Sequence, residues 1–186
     1  MRKAVILSSY SSQDKKSYRL TKSALSFDQN LAGELIRKVD ILGPIDTGNV
    51  RTFFGLTTEY PVVTVVGLGP EEATINEEEQ INEKRENVRA ATAAGYNAIN
   101  ALDVKIESVE VDDCGDPQSA VEGVFLASYR FEELKSKKDS DAEIQISLLY
   151  PTEATLKEWP YTDIWTKSAS ETRGFSCQHA DSDAVC

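Results

Sequence analysis

The sequence predicts an α/β layered domain, in which strands and helices alternate along the chain. Residues 61–69 carry four valines between a proline and a glycine, a pattern typical of a strand buried on both faces. Ile144, Ile146 and Leu148 alternate with polar residues, which is the period of a strand with one polar face. Stretches with apolar residues at helical spacing separate these strands. With 186 residues, the chain has the length of one ordinary domain.

In the N-terminal half, residues 3–8 form an aliphatic run that predicts a buried strand, and residues 11–17 predict a polar loop. Apolar residues then recur at steps of three and four, which predicts one amphipathic helix from a Ser26 cap to Val39. The turn sequences at residues 43–48 and the β-prone residues 51–56 predict a hairpin or strand pair before the valine-rich strand.

In the C-terminal half, a long helix is expected from about Asn76 to Gly95, because glutamates crowd its start and complement the helix dipole. Alternating apolar residues at positions 104–111 predict a further strand. Asp116 followed by Pro117 predicts a capped helix that reaches about Leu134. A charged loop at residues 135–141 then leads to the last strand.

Composition excludes several classes of function. The chain has 20 Lys and Arg against 31 Asp and Glu, a net charge of −11, so binding to nucleic acid or to an anionic membrane surface is not expected. No apolar run approaches the roughly 20 residues that cross a bilayer, and the N-terminus lacks a signal peptide, which predicts a cytosolic protein. The three cysteines, Cys114, Cys177 and Cys186, are expected to be reduced thiols.

No group of residues predicts a metal or phosphate site. The single histidine, His179, and the lack of a CxxC pair argue against a His- or Cys-ligated metal. Gly67 and Gly69 follow a strand as a phosphate loop would, but Glu72 stands where a third glycine belongs, so these glycines are expected only to end the strand.

Neither the acidic residues near position 114 nor the serines near the N-terminus predict a catalytic site. Asp112, Asp113 and Asp116 are expected to serve a turn and a helix cap rather than a cation. Cys114 lies next to a helix N-terminus, where the pKa of a thiol can be lowered, yet no base accompanies it. The serine pairs at 8–9 and 11–12 lack a GxSxG context. We therefore expect no catalytic, cofactor-binding or metal-binding residue in this chain.

Four segments taken together resemble the N-terminal domain of the leucyl aminopeptidases, the cytosol aminopeptidases of the two-metal type. They are RTFFGL at 51–56, PVVTVVGLG at 61–69, ENVRAATAAG at 86–95 and VEVDDCGDPQSAVEGVFLASYRFEELKSKK at 109–138. The resemblance implies a three-layer α/β domain with a mixed sheet flanked by helices, similar to the macrodomain fold. In that family a second domain holds the two divalent metals, zinc or manganese, and the NTDAEGR segment. This sequence contains no NTDAEGR.

The resemblance implies a non-catalytic domain over residues 1–158 that is inactive alone and acts at most in assembly or regulation with aminopeptidase subunits, which form hexamers in the family. From Trp159 the sequence departs from the family, and Pro160 blocks a continuing helix. Residues 159–186 are thus expected to be a divergent, poorly ordered tail, from an alternative exon, a shifted frame or an incomplete gene model. The alternative is a stand-alone macrodomain-like module that binds ADP-ribose.

Overall fold

The computed structural model describes residues 2–14, 16–129 and 144–151. These residues form a six-stranded mixed sheet, a separate two-stranded hairpin and four helices. The strands are β1 (Lys3–Ser11), β2 (Tyr18–Leu20), β3 (Val50–Phe54), β4 (Val62–Gly69), β5 (Ile75–Asn76), β6 (Ile81–Asn82), β7 (Ser108–Val111) and β8 (Gln145–Leu148). The helices are α1 (Lys22–Asn30), α2 (Glu34–Leu42), α3 (Glu83–Asn100) and α4 (Pro117–Ser128).

The sheet has the order β3-β4-β1-β7-β8, and β2 pairs with the end of β1. β1, β4, β7 and β8 are mutually parallel, whereas β3 and β2 are antiparallel to their neighbours. Every residue of β4 is buried, as its continuous apolar run predicted. The predicted α/β class with a mixed sheet is confirmed.

Helices cover both faces of the sheet, so the domain has three layers. Alternate residues of β1 face opposite sides: Val5 and Leu7 belong to the core beneath α1 and α2, and Ala4 and Ile6 to the core beneath α3 and α4. Of the hairpin or strand pair predicted around residues 43–56, only one strand forms: β3 pairs antiparallel with β4 itself, and Thr52 of β3 lies opposite Thr64 of β4. No helix in the described ranges is both long and apolar enough to cross a bilayer.

The single helix predicted from Ser26 to Val39 is wrong, because two helices meet there. α1 begins four residues earlier, and its cap is Thr21, whose Oγ1 accepts the Ala24 N–H. The break follows from Gly33, which has a left-handed φ of 80°, and from Asp28, which is buried within α1. The Asp28 Oδ1 accepts the N–H groups of Leu35 and Ile36, so one carboxylate joins the two helices.

The helix expected from Asn76 also begins later. The β5–β6 hairpin takes up residues 75–82, and α3 starts at Glu83 with Asn82 as its cap, 3.2 Å from the Arg85 N–H. The predicted strand at 104–111 is confined to β7. The next helix, α4, ends at Ser128 rather than near Leu134, which lies outside the described residues, as do the predicted loop at 135–141 and tail at 159–186.

Candidate functional site at the carboxyl edge of the sheet

The carboxyl ends of β1, β4 and β7 meet at one edge of the sheet, because these strands are parallel. The helices that follow β1 pack on one face of the sheet, and the helix that follows β4 packs on the other. In open α/β sheets, ligands bind where successive connections leave on opposite faces. A ligand-binding or catalytic site is therefore expected between the ends of β1, β4 and β7.

A buried carboxylate, that of Asp112, occupies this edge just after β7. Its Oδ2 accepts the backbone N–H of Ser8 at 3.0 Å and the hydroxyl of Thr21. Its Oδ1 accepts the backbone N–H of Cys114 at 3.0 Å. Both carboxylate oxygens are thus bound by groups of the protein itself, from β1, from the cap of α1 and from the turn after β7.

Burial raises the pKa of Asp112 to about 6, because removal from water disfavours the charged form. The hydrogen bonds from Thr21 and Cys114 act in the opposite direction and lower that pKa. Burial also raises the pKa of the adjacent Tyr10 to about 12, and its hydroxyl donates to the Cys114 carbonyl at 3.0 Å. The edge is therefore polar but largely closed to solvent.

Cys114 is fully buried rather than poised at an open helix terminus. Its Sγ shares a hydrogen bond with the Ser8 hydroxyl at 2.9 Å and lies 3.3 Å from the Asp112 carbonyl. Burial raises the pKa of the thiol well above its usual value, and the nearby Asp112 carboxylate raises it further. This environment is the opposite of the electropositive, accessible one that activates a cysteine, so Cys114 is a structural thiol.

The two other aspartates of the cluster have the turn and cap roles predicted for them. Asp113 Oδ1 accepts the Gly115 N–H at 3.3 Å, and Asp116 caps α4 by accepting the Ser119 N–H at 3.3 Å. Asp116 also pairs with Arg85 at 2.9 Å. For Asp112, by contrast, no local pattern could indicate its long-range bonds, because its partners Ser8 and Thr21 lie 104 and 91 positions away.

Gly67 and Gly69 are needed for close packing and do not form a phosphate loop. A Cβ on Gly67 would lie 2.2 Å from the Asp46 carbonyl oxygen, and one on Gly69 would lie 2.4 Å from Thr47 Oγ1. The loop after α2 also uses the backbone of Gly67, whose N–H donates to Asn49 and whose carbonyl accepts from Gly48. These bonds leave no free N–H at Gly67 for a phosphate, so the geometry gives the ADP-ribose alternative no support.

A shallow cleft of about 150 Å³ lies beside β2 at this edge. Arg19 and Glu71 form an ion pair across it, and Glu72 adds a second carboxylate to its wall. Within residues 2–14, 16–129 and 144–151, no three His, Cys, Asp or Glu side chains converge as a metal centre would need. His179 lies outside those ranges.

Comparison with known proteins agrees with the resemblance found in the sequence. Residues 6–138 match the model of the cytosol aminopeptidase family, N-terminal domain. The chain is 43% identical over 140 residues to a human protein named cytosol aminopeptidase, and 41% and 40% identical to its bovine and mouse counterparts. Each alignment covers 74% of this chain and 27% of the relative, so the chain spans about a quarter of the length of the proteins that it matches.

Proposed function

Because the chain belongs to the cytosol aminopeptidase family and matches its N-terminal domain, we propose that it is a non-catalytic module of an aminopeptidase. In this proposal it takes part in the assembly or regulation of the enzyme and does not hydrolyse peptides alone. Its relatives are named cytosol aminopeptidases, which supports a cytosolic location.

The observation that carries the proposal is the closed carboxyl edge of the sheet. The Asp112 carboxylate would be the natural reactive group there, but it accepts two backbone N–H groups and one hydroxyl. The thiol beside it is buried and hard to ionise. These groups stabilise the fold, and burial keeps both side chains away from a substrate.

A two-metal peptidase makes its nucleophile from a metal-bound water, which requires several carboxylates that point into one open site. The described residues do not provide that arrangement, because the interior carboxylates bind backbone N–H groups: Asp28 joins α1 to α2, and Asp112 joins β1 to the turn after β7. The proposal therefore assigns no metal ligand to this chain, and places the metals of the enzyme in a separate catalytic domain.

The proposed partners are subunits that carry such a catalytic domain. The surface offers apolar side chains for such contacts, of which Ile41 at the end of α2 is 83% exposed and Leu126 in α4 is 69% exposed. Isolated exposed apolar residues are common, so these two are starting points for mutation rather than proof of an interface.

The first test is an aminopeptidase assay of the purified chain on leucine amide with zinc, manganese or magnesium added. We expect no turnover, with human cytosol aminopeptidase as the positive control. Turnover that a chelator abolishes, and that a mock preparation lacks, would overturn the non-catalytic part of the proposal.

The second test addresses the role in assembly. The chain is co-expressed with human cytosol aminopeptidase, and the complex is analysed by sedimentation and by the kcat and KM of the enzyme. We expect co-sedimentation or altered kinetics, both weakened by Ile41→Asp or Leu126→Asp. Independent sedimentation together with unchanged kinetics would refute the assembly or regulatory role.

A further inference from the structure

One end of the six-stranded sheet is β3, whose only strand partner among the described residues is β4. In an antiparallel pair, opposite residues alternate between those that exchange two hydrogen bonds and those that exchange none. The Gly55 N–H donates to the Pro61 carbonyl at 2.9 Å, which places these two residues in a bonded position. Two and four residues earlier, Phe53 and Arg51 therefore also direct their N–H and C=O groups to β4.

The alternate residues of β3 direct their backbone groups away from the sheet. Val50, Thr52 and Phe54 lie in the non-bonded positions opposite β4, so each of them points one N–H donor and one C=O acceptor outward. In the part of the chain that the structure describes, no other backbone group bonds to these donors and acceptors. An unpaired strand edge of this kind is a template for the addition of another strand.

We propose that the outer edge of β3 binds the β3 of a second copy of this chain, in an antiparallel pair centred on Thr52. In this register Thr52 lies opposite Thr52 of the second copy, and Val50 of each copy lies opposite Phe54 of the other. Each of these residue pairs exchanges two hydrogen bonds, so every outward donor and acceptor is used. The two sheets become one continuous sheet across a two-fold axis. This inference does not depend on the proposed role in an aminopeptidase.

The side chains of β3 are complementary to each other in this register. On the face of the sheet that α3 covers, the half-buried Val50 lies opposite Phe54, which is 61% exposed in the single chain. Opposite pairs of an aromatic and a β-branched side chain stabilise a sheet. On the other face Arg51 lies opposite Phe53, whose ring can accept a cation–π contact from the guanidinium. Two-fold symmetry places each of these pairs on both sides of Thr52, so a second copy matches the edge along its whole length.

Charge permits two acidic copies to meet at this edge. The chain has a net charge of −11, yet residues 47–58 contain a single charged side chain, the cation of Arg51. Its guanidinium donates to the Gly43 and Pro44 carbonyls at 3.0 and 3.3 Å, beside the negative end of the α2 dipole, which offsets part of its charge. Charges farther away are screened over about 8 Å at physiological salt. No carboxylates therefore face each other across the paired strands.

The first experiment measures the mass of the full chain by sedimentation equilibrium in the presence of a reductant. We expect the average mass to rise from that of a monomer toward twice that value between about 1 µM and about 500 µM, the range of a weak interface. Thr52→Pro should weaken association at least about tenfold, because it removes an outward N–H but no bond to β4. Thr52→Ala is the matched control, since it loses the same hydroxyl and keeps the N–H; it should associate as the native chain does.

A second pair of variants changes a side chain and leaves the backbone intact. Phe54→Lys replaces an apolar partner of Val50 by a cation at the strand edge and should also weaken association at least about tenfold. Leu126→Lys makes the same change in charge at a residue of α4 that is 69% exposed, and it should leave association unchanged. Far-UV circular dichroism establishes that each variant is folded.

Nuclear magnetic resonance of the native chain tests the register. The amide hydrogen of Thr52 should exchange rapidly with solvent in the dilute protein and several-fold more slowly in the concentrated one, whereas that of Phe53 should be protected in both. A mixture of labelled and unlabelled copies should show a nuclear Overhauser contact between the Hα atoms of Arg51 in one copy and Phe53 in the other.

Four results would overturn the inference. They are a monomer over the whole concentration range, a dimer that persists in either Thr52→Pro or Phe54→Lys once that variant is shown to be folded, and a dimer without the contact between Arg51 and Phe53. The fourth is protection of the Thr52 amide that does not change with concentration, since another segment of the same chain would then occupy the edge.

Discussion

The carboxylate of Asp112 accepts the backbone N–H of Ser8 at 3.0 Å, although 104 positions separate the two residues. This bond joins the end of β7 to the C-terminal half of β1. The same carboxylate also binds the cap residue of α1 and the turn that contains Cys114. Cys114 has a φ of 53°, a left-handed conformation that is costly for a residue with a side chain. The bonds to Asp112 and Tyr10 hold it there.

Asp112→Asn should destabilise the domain by about 2–3 kcal/mol at pH 4, because an amide NH₂, unlike a carboxyl oxygen, cannot accept a hydrogen bond and would leave one of the N–H donors unsatisfied. The urea midpoint of unfolding measures the change. Asp113→Asn is the matched control: its carboxylate is only half-buried and bonds to an adjacent turn, so its loss should cost less than about 1 kcal/mol. Equal effects of the two substitutions would contradict the role assigned to Asp112.

Asp112 should also make stability depend on pH. Its pKa in the folded state, about 6, is above the value of 3.8 for an ordinary aspartate, so between those pH values the folded protein binds a proton that the unfolded chain has lost. The stabilisation that this bound proton contributes is fully present below pH 4 and disappears as pH rises through 6. The difference in unfolding free energy between the native chain and Asp112→Asn should therefore fall by about 3 kcal/mol from pH 4 to pH 7. A difference that is constant or rises with pH would show that this pKa is not raised.

Gly67→Ala should destabilise the domain by about 2 kcal/mol or more, because the new methyl group would lie 2.2 Å from a backbone carbonyl, that of Asp46, which cannot move away freely. Gly33→Ala serves as the comparison. Gly33 has a left-handed φ of 80° but open space around it, so its substitution should cost only the backbone strain of about 1–2 kcal/mol. Thermal unfolding of both variants tests this order, and a larger loss for Gly33→Ala would contradict it.

The thiol of Cys114 should resist alkylation in the folded protein, since it is fully buried and its pKa is raised. Iodoacetamide treatment followed by peptide mass mapping reports each cysteine separately. We expect Cys114 to be modified only after denaturation. Modification in the native protein at the rate of a free thiol would mean that the edge opens readily.

Removal of residues 161–186 should change the free energy of unfolding by no more than about 0.5 kcal/mol, as expected for a tail without a packed core of its own. Val65→Asp sets the scale for a core defect. Val65 is fully buried in β4, so an unpaired charge there should prevent folding. If the truncation lowers the urea midpoint as severely as the core charge does, the tail is an integral part of the domain.

The sequence predicted those parts of the fold that depend on local pattern. The valine run of β4, the alternation in β8 and the Asp116-Pro117 start of α4 are all confirmed, because burial and capping leave a period or a cap residue in the chain. Predictions that needed an element boundary were less accurate. The predicted cap Ser26 lies within α1, and its hydroxyl donates to the Lys22 carbonyl at 3.0 Å.

The sequence predicted no functional site at this edge of the sheet, and it indicated the roles of only some of the residues there. Asp113 and Asp116 have local roles that spacing can indicate, whereas the roles of Asp112, Gly67 and Cys114 depend on residues far away in the sequence. A glycine that permits another loop to approach looks the same in a sequence as a glycine that ends a strand. Only the contact between Gly67 and Asp46 distinguishes the two.

The sequence by itself determined the α/β class, the acidic character and the family of this protein, because these properties follow from periodicity, composition and ordered motifs. The tertiary structure decided that the buried carboxylate of Asp112 joins distant segments of the chain and that Cys114 is unreactive. The physical reason is that desolvation and hydrogen bonding depend on which groups surround a side chain, and the chain brings those groups together only when it folds.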